Sequence, residues 1–202
     1  MKIAIIDYGM GNVASVEKAV KFIGVNSTIT KNLDEIKTCD ALILPGVGAF
    51  AQGMLNLEKN NLIDFLHNEV MINKMPFLGI CLGMQLLATK GFEPKESQGL
   101  NWIDGEVLKI DEPELRLPHL GWNEIYSSGN GLMKNYHSKD FYFIHSYHFR
   151  VKDLNNIIAT VNYGNEYVAA IKKDNIIATQ FHPEKSQKYG LELLDHFLKD
   201  HA

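Results

Sequence analysis

Apolar runs and helical stripes alternate along the first half of the chain. Lys2 to Ile6 is apolar after its first residue and stops at Asp7-Tyr8-Gly9-Met10-Gly11-Asn12. Val13, Val16, Val20 and Ile23 then recur at helical spacing. Asn26 to Thr30 reads as a second strand and Leu33 to Cys39 as a short helix. Ala41 to Leu44 is apolar throughout, as a strand buried on both faces requires. It ends in a second glycine-rich turn, Pro45-Gly46-Val47-Gly48-Ala49-Phe50. Gly53 to Val70 carries helical segments, Phe77 to Ile80 is a further apolar strand, and Leu82 to Leu87 starts a helix. This order predicts an α/β fold with a parallel sheet and helices on both faces. Ligands in such sheets bind beyond the carboxyl ends of the strands, which puts loops 7–12 and 45–50 and position 81 on one edge.

The second half has a different rhythm. Gly99 to Ile110 reads as short strands around a turn at Asp104-Gly105, and Leu117 to Asn123 as a loop. Phe141 to Phe149 is one aromatic strand. Ile157 to Val161, Val168 to Ile171 and Ile176 to Thr179 read as hairpin strands, with turns at 163–165 and 173–175. Gly190 to His201 is an amphipathic helix. No linker composition divides the chain, so a single domain over residues 1–202 is expected, with a smaller antiparallel sheet in its second half.

Composition narrows the partners. Twenty basic residues against twenty-four acidic ones give a net charge of −4, with no basic excess to suggest nucleic acid. No apolar run spans a bilayer, and the first one is too short for a signal peptide. Two cysteines make no disulfide framework, so a reducing cytoplasm is expected. The spacing of Cys and His fits no structural zinc site. Gly9-Met10-Gly11 lacks the third glycine of a dinucleotide fingerprint, Ala standing at position 14. Neither a metal nor a cofactor is expected.

Cys81 stands between a strand and a helix with Gly79 and Gly83 on either side. This is the form of a nucleophile elbow, which presents a side chain in the N-terminal field of a helix, where a thiolate is favoured. Downstream, Gln180-Phe181-His182-Pro183-Glu184 follows a strand. In extended chain His182 and Glu184 face the same way. Glu184 then fixes one ring nitrogen of His182 and leaves the other for the thiol proton. Read alone, this tripeptide is better explained as a surface His-Pro-Glu turn. Cys39 reads as an inert core thiol, and His119, His145 and His148 as structural or substrate-edge groups.

Pro45-Gly46-Val47-Gly48, Gly79 to Gln85 and Phe181-His182-Pro183-Glu184, in that order, resemble the class I, triad-type glutamine amidotransferases. Ile6 to Asn12, Pro118 to Asn123, His145-Ser146-Tyr147 and His182 to Gln187 are similar to the glutaminase subunits of imidazole glycerol phosphate synthases. The resemblance implies a three-layer fold and a Cys81-His182-Glu184 triad that hydrolyses glutamine through a thioester. It implies oxyanion donors from Leu82 and the Val47–Gly48 loop, and glutamine contacts from Gln85, Ser146 and Tyr147. It also implies a heterodimer with a (β/α)₈-barrel cyclase, to which the ammonia passes, with Asn12, Trp122, Tyr142 and Lys185 at or near the interface. The sequence departs from the family form at Ala14-Ser15 and Arg116-Leu117, in or near surfaces expected to face a partner. A paralogue supplying another synthase, a related triad hydrolase and a silent regulatory subunit are the competing readings. Gln85 and the 118–123 segment weigh against the hydrolase, and the intact triad against the silent subunit.

Overall fold

The computed structural model describes residues 1–127, 129 and 131–199. The first half follows the sequence pattern closely. It runs β1 (Lys2–Ile6), α1 (Val13–Phe22), β2 (Asn26–Thr30), α2 (Leu33–Lys37), β3 (Ala41–Gly46), α3 (Phe50–Lys59), α4 (Leu62–His67) and β4 (Phe77–Cys81). A π-turn over Asn68–Ile72 closes α4, and α5 (Leu82–Gln85) is a single turn. The Asn12 side chain caps α1 by accepting the Ser15 N–H, and Asn32 caps α2 through the N–H groups of Asp34 and Glu35.

The second half runs β5 (Lys90–Gly91), β6 (Ser97–Gln98), β7 (Gly105–Lys109), β8 (His119–Ser127), β9 (Lys139–His145), β10 (Tyr147–Val151), β11 (Ile157–Tyr163), β12 (Asn165–Lys173), β13 (Ile176–Thr179) and α6 (Gln187–Lys199). The helix expected over 190–201 starts earlier; positions 200–202 lie outside the described residues.

Among the described residues, nine strands form one sheet in the order β2-β1-β3-β4-β13-β12-β11-β8-β9. The pairs from β2 to β13 are parallel, and those from β13 to β9 antiparallel. The hairpin strands therefore extend the parallel sheet. A second sheet, β10-β7-β5-β6, is smaller. The α/β, three-layer class expected from the sequence is the observed one.

Alternation along β1 explains the two cores. Ile3 and Ile5 pack with Val16 and Val20 of α1 and Leu194 and Phe197 of α6. Ala4 and Ile6 point the other way, into a core shared with Leu57 of α3, Leu66 of α4 and Phe149 of β10. A strand covered on both sides has no polar face, hence the continuous apolar run. Among the described residues, no helix is long and apolar enough to cross a membrane.

Two sequence expectations are corrected. The segment 117–123 is mostly strand, because β8 begins at His119 and pairs with both β9 and β11. The aromatic run 141–149 is two strands of different sheets, broken at Ser146.

Candidate active site

Cys81 ends β4 at φ 55° and ψ −108°. This left-handed conformation is sparsely populated by residues with a Cβ and costs roughly 1–3 kcal/mol. The flanking glycines make the turn possible. A Cβ on Gly83 would overlap the carbonyl oxygen of Leu44, and one on Gly79 would press on the backbone of Gly83. β3, β4 and α5 thus meet backbone to backbone, and the Cys81 side chain leaves the sheet at its carboxyl edge. The helix that follows is one turn long, so it supplies less field than the sequence suggested.

A pocket of about 160 Å³ opens above the thiol, and its wall includes Val47, Gly48, Leu82, Gln85, Ser146 and Tyr147. All seven pocket residues expected from the sequence, Cys81 included, therefore meet in one cavity. Glu93 also lines it, a residue the sequence reading missed. One of its oxygens accepts the Phe50 N–H at 3.2 Å, and burial raises its carboxyl pKa. The phenol of Tyr147 is raised too, by burial and then by the nearby Glu93.

His182 and Glu184 lie beside Cys81, with side chains 2% and 1% exposed. His182 Nδ1 meets Glu184 Oε1 at 2.7 Å. The segment is not extended, as the sequence suggested. Pro183 to Lys185 form a 3₁₀ turn, and Pro183 at its first position needs no N–H partner. The backbone of His182 is held by β9. Its N–H donates to Tyr142 O at 2.9 Å, and its carbonyl accepts the Ser186 hydroxyl, which in turn accepts Tyr142 N–H. Edge strand β9 is thereby covered by the segment that carries the triad candidates.

Burial works against a charged ring at His182, but Cys81 and Glu184 outweigh it and raise its pKa to about 10. His182 Nε2 is buried and makes no hydrogen bond of ordinary geometry. Contacts of this kind are often long in the absence of substrate. The Cys81 sulfur lies 3.9 Å from Ile144 O, and Gln180 Nε2 donates to it at 3.7 Å.

Val47 is 40% exposed, and its N–H donates to Met10 O at 3.0 Å. That N–H is therefore already occupied. Leu82 opens α5, so its N–H has no partner within its own helix. The buried Tyr8 hydroxyl lies against Gly46 without a hydrogen-bond partner, and burial, then Cys81, hold its phenol above the ordinary range.

Behind the pocket a histidine pair has only one self-consistent protonation. His145 Nδ1 faces Tyr147 O at 2.9 Å, and a carbonyl only accepts. His145 Nδ1 therefore carries hydrogen, and Nε2 of the neutral ring accepts from His119 Nδ1 at 3.1 Å. His119 Nε2 then accepts from Asn123 Nδ2 at 3.3 Å. Burial lowers the pKa of His119 to about 4 and that of His145 to about 3, in keeping with neutral rings. Cys39 is a buried thiol whose pKa burial raises, with Sγ 3.5 Å from Glu35 O. Among the described residues, no cluster of three or more His, Cys, Asp or Glu side chains is arranged to hold a metal ion.

Three of the four interface candidates lie together. Trp122 of β8 and Tyr142 of β9 are paired in register, edge to face with ring centroids 6.0 Å apart. Lys185 Nζ sits 5.7 Å from the Tyr142 ring. Leu120 and Ile144 extend this surface at 59% and 37% exposure. Asn12 lies at the start of α1, where it caps the helix.

Residues 4–200 match the family model described as glutamine amidotransferase class-I. The chain is 46% identical over 200 residues to "Imidazole glycerol phosphate synthase subunit HisH 1" of Campylobacter jejuni, covering 98% of this chain and 99% of that protein. It is 42% identical to "Imidazole glycerol phosphate synthase subunit HisH" of Aquifex aeolicus, covering 98% and 96%. Among solved structures, one described as "Crystal structure of glutamine amidotransferase" superposes with a TM-score of 0.76 at 19% identity, covering 98% of this chain and 97% of that one. "Structure of PurLQS from Thermotoga maritima" gives 0.76 at 15% identity, covering 98% of each chain. These two likenesses speak for the fold alone.

Proposed function

The chain belongs to the class I glutamine amidotransferases, and from that premise we propose that it hydrolyses glutamine at Cys81 and hands the ammonia to a synthase. The observation that carries this reading is the Cys81 thiol on a strained elbow, under a pocket and beside a buried His182–Glu184 pair. The thiol proton rests on His182, and the sulfur, as thiolate, attacks the side-chain amide carbon of glutamine. The oxyanion is held by Leu82 N–H and by the Val47–Gly48 loop, once the Val47 N–H leaves Met10 O. Removing one such donor typically costs ~10²–10³ in rate. His182 returns the proton to the departing nitrogen, and ammonia leaves a thioester. Water, deprotonated by the same ring, then cleaves the thioester to glutamate.

Gln85, Ser146 and Tyr147 wall the glutamine. Glu93 offers a carboxylate to its α-ammonium group, since it is the acidic side chain of the pocket wall. The whole chain acts as one glutaminase domain, in the cytoplasm, as a heterodimer with a barrel-type cyclase. Trp122, Tyr142 and Lys185 form the docking surface, with Asn12 at its margin. The cyclase uses the ammonia to form imidazole glycerol phosphate and aminoimidazole carboxamide ribotide in histidine biosynthesis. The naming of the relatives as subunits of that synthase supports this destination.

The test is a glutamine-analogue electrophile applied with the cyclase present. Labelling of Cys81 is expected, together with transfer of amide ¹⁵N from glutamine into the imidazole product. Labelling at Cys39, or none, overturns the reading.

A further inference from the structure

Gln180 lies two residues before His182, is fully buried, and its side-chain amide contacts the Cys81 sulfur. A carboxamide has one donating and one accepting end, and its orientation decides what it does to a nucleophile. Here the surroundings settle the orientation. The Tyr147 carbonyl can only accept, so the Gln85 atom 2.9 Å from it is Nε2. That same nitrogen lies 2.9 Å from the near end of Gln180, which must then be Oε1, because two NH₂ groups cannot bond each other. Gln180 is left with Nε2 toward the sulfur at 3.7 Å.

The Tyr147 carbonyl is itself held, since His145 Nδ1–H occupies it from the other side at 2.9 Å. Gln85 is 4% exposed, so neither amide has water to turn toward. A thiol gains little from a donor at this position, whereas a thiolate gains a charge-assisted hydrogen bond.

We infer that Gln180 is a positioning residue for the nucleophile, locked by Gln85 and Tyr147 so that its N–H holds the Cys81 sulfur as thiolate, facing the pocket. The inference rests on the reading of Cys81 as the nucleophile. It adds that the anion has a second anchor besides His182. It also gives Gln85 a task beyond the pocket wall, because Gln85 keeps Gln180 from flipping.

The experiment is alkylation of Cys81 by iodoacetamide from pH 5 to 9.5, read site by site by mass spectrometry, in the wild type, Gln180→Glu and Gln180→Met. Glu keeps the acceptor that Gln85 needs and turns an acceptor toward the sulfur. Met keeps the bulk and removes the donor, and it carries the test if Gln180→Glu does not fold. A hydrogen bond to a charged group is worth about 1.5–3 kcal/mol, or about a tenfold effect or more in thiolate population. The half-maximal pH of alkylation is therefore expected to rise by about one unit in the Met variant and further in the Glu variant. In the complex with the synthase, kcat should fall about tenfold while the glutamine KM stays within about threefold. Variant profiles that superimpose on the wild type, or an effect confined to KM, overturn the inference. Wild-type Cys81 that alkylates no faster than Cys39 overturns the nucleophile reading itself, and the inference with it.

Discussion

Val47, which lines the pocket with Cys81, gives its backbone N–H to the carbonyl of Met10 at 3.0 Å. Met10 belongs to the loop after β1 and Val47 to the loop after β3, so one strand-end loop holds the other. In the proposed mechanism an oxyanion then has the Leu82 N–H and no donor from Val47. The isolated chain should turn over glutamine slowly. Addition of its synthase partner should raise kcat by about 10²–10³, the worth of one regained donor. Steady-state glutamate release measures this. Fast turnover without a partner would contradict it.

His182 is held protonated to high pH against the cost of burial, because Cys81 and Glu184 both favour the charged ring. The wild-type activity should persist to alkaline pH and fall as pH rises toward about 10, where the ring loses its proton and with it the acid for the departing ammonia. In Glu184→Gln the ring keeps a partner of similar shape but loses the charge. The alkaline limb of the kcat profile should move to lower pH and kcat should drop about 10²-fold. An unchanged limb would remove Glu184 from the triad.

His119, His145 and His148 shape stability in acid. Burial first, aided at His148 by Arg150, lowers their pKa values to about 4, about 3 and about 4. The unfolded chain binds protons at these rings near the ordinary value of ~6.5, while the folded chain does not. Their contribution to stability is therefore complete above pH ~6.5 and is lost progressively as pH falls toward ~4. Thermal unfolding from pH 7 to 4.5 should show a steep loss for the wild type. His145→Asn should start lower and fall less steeply. Parallel slopes would refute the assignment.

Gly83→Ala should damage fold and site together. The added methyl overlaps the Leu44 carbonyl oxygen, which is backbone and cannot rotate away. The cost should be about 1–3 kcal/mol, with displacement of Cys81. Urea unfolding gives the first quantity, and the alkylation rate of Cys81 the second.

Trp122→Ala should leave the glutaminase chain folded, because the side chain is 47% exposed and packs edge-on to Tyr142. Affinity for the cyclase should fall by about 2 kcal/mol, or roughly 30-fold. Calorimetric titration of the two subunits decides it. Unaltered affinity would move the docking surface elsewhere.

Where sequence reading failed, the physical cause is visible. The stretch from Leu117 to Asn123 reads as a loop because its pattern is inverted for a half-buried strand. Leu120 and Trp122 point outward and His119 inward. A surface that offers apolar side chains to a partner cannot show the usual alternation. The aromatic run 141–149 gave no sign of its break. Ser146 is where the chain leaves one sheet for the other, and both pieces are equally apolar around it.

The local sequence by itself determined the alternating strands and helices, the two strand-end loops and the elbow around Cys81. Each depends on neighbours within a few residues, such as the glycines that let β4 turn into α5. The resemblance carried by separated motifs added the expectation of a triad, an oxyanion loop and a glutamine wall. Tertiary structure decided what those groups do to one another. It brought Gln180 to the sulfur, Glu93 to the pocket and His119 to His145. It also turned the Val47 N–H toward Met10. Hydrogen-bond direction across a sheet depends on which donors and acceptors meet from distant segments, and no local periodicity encodes that.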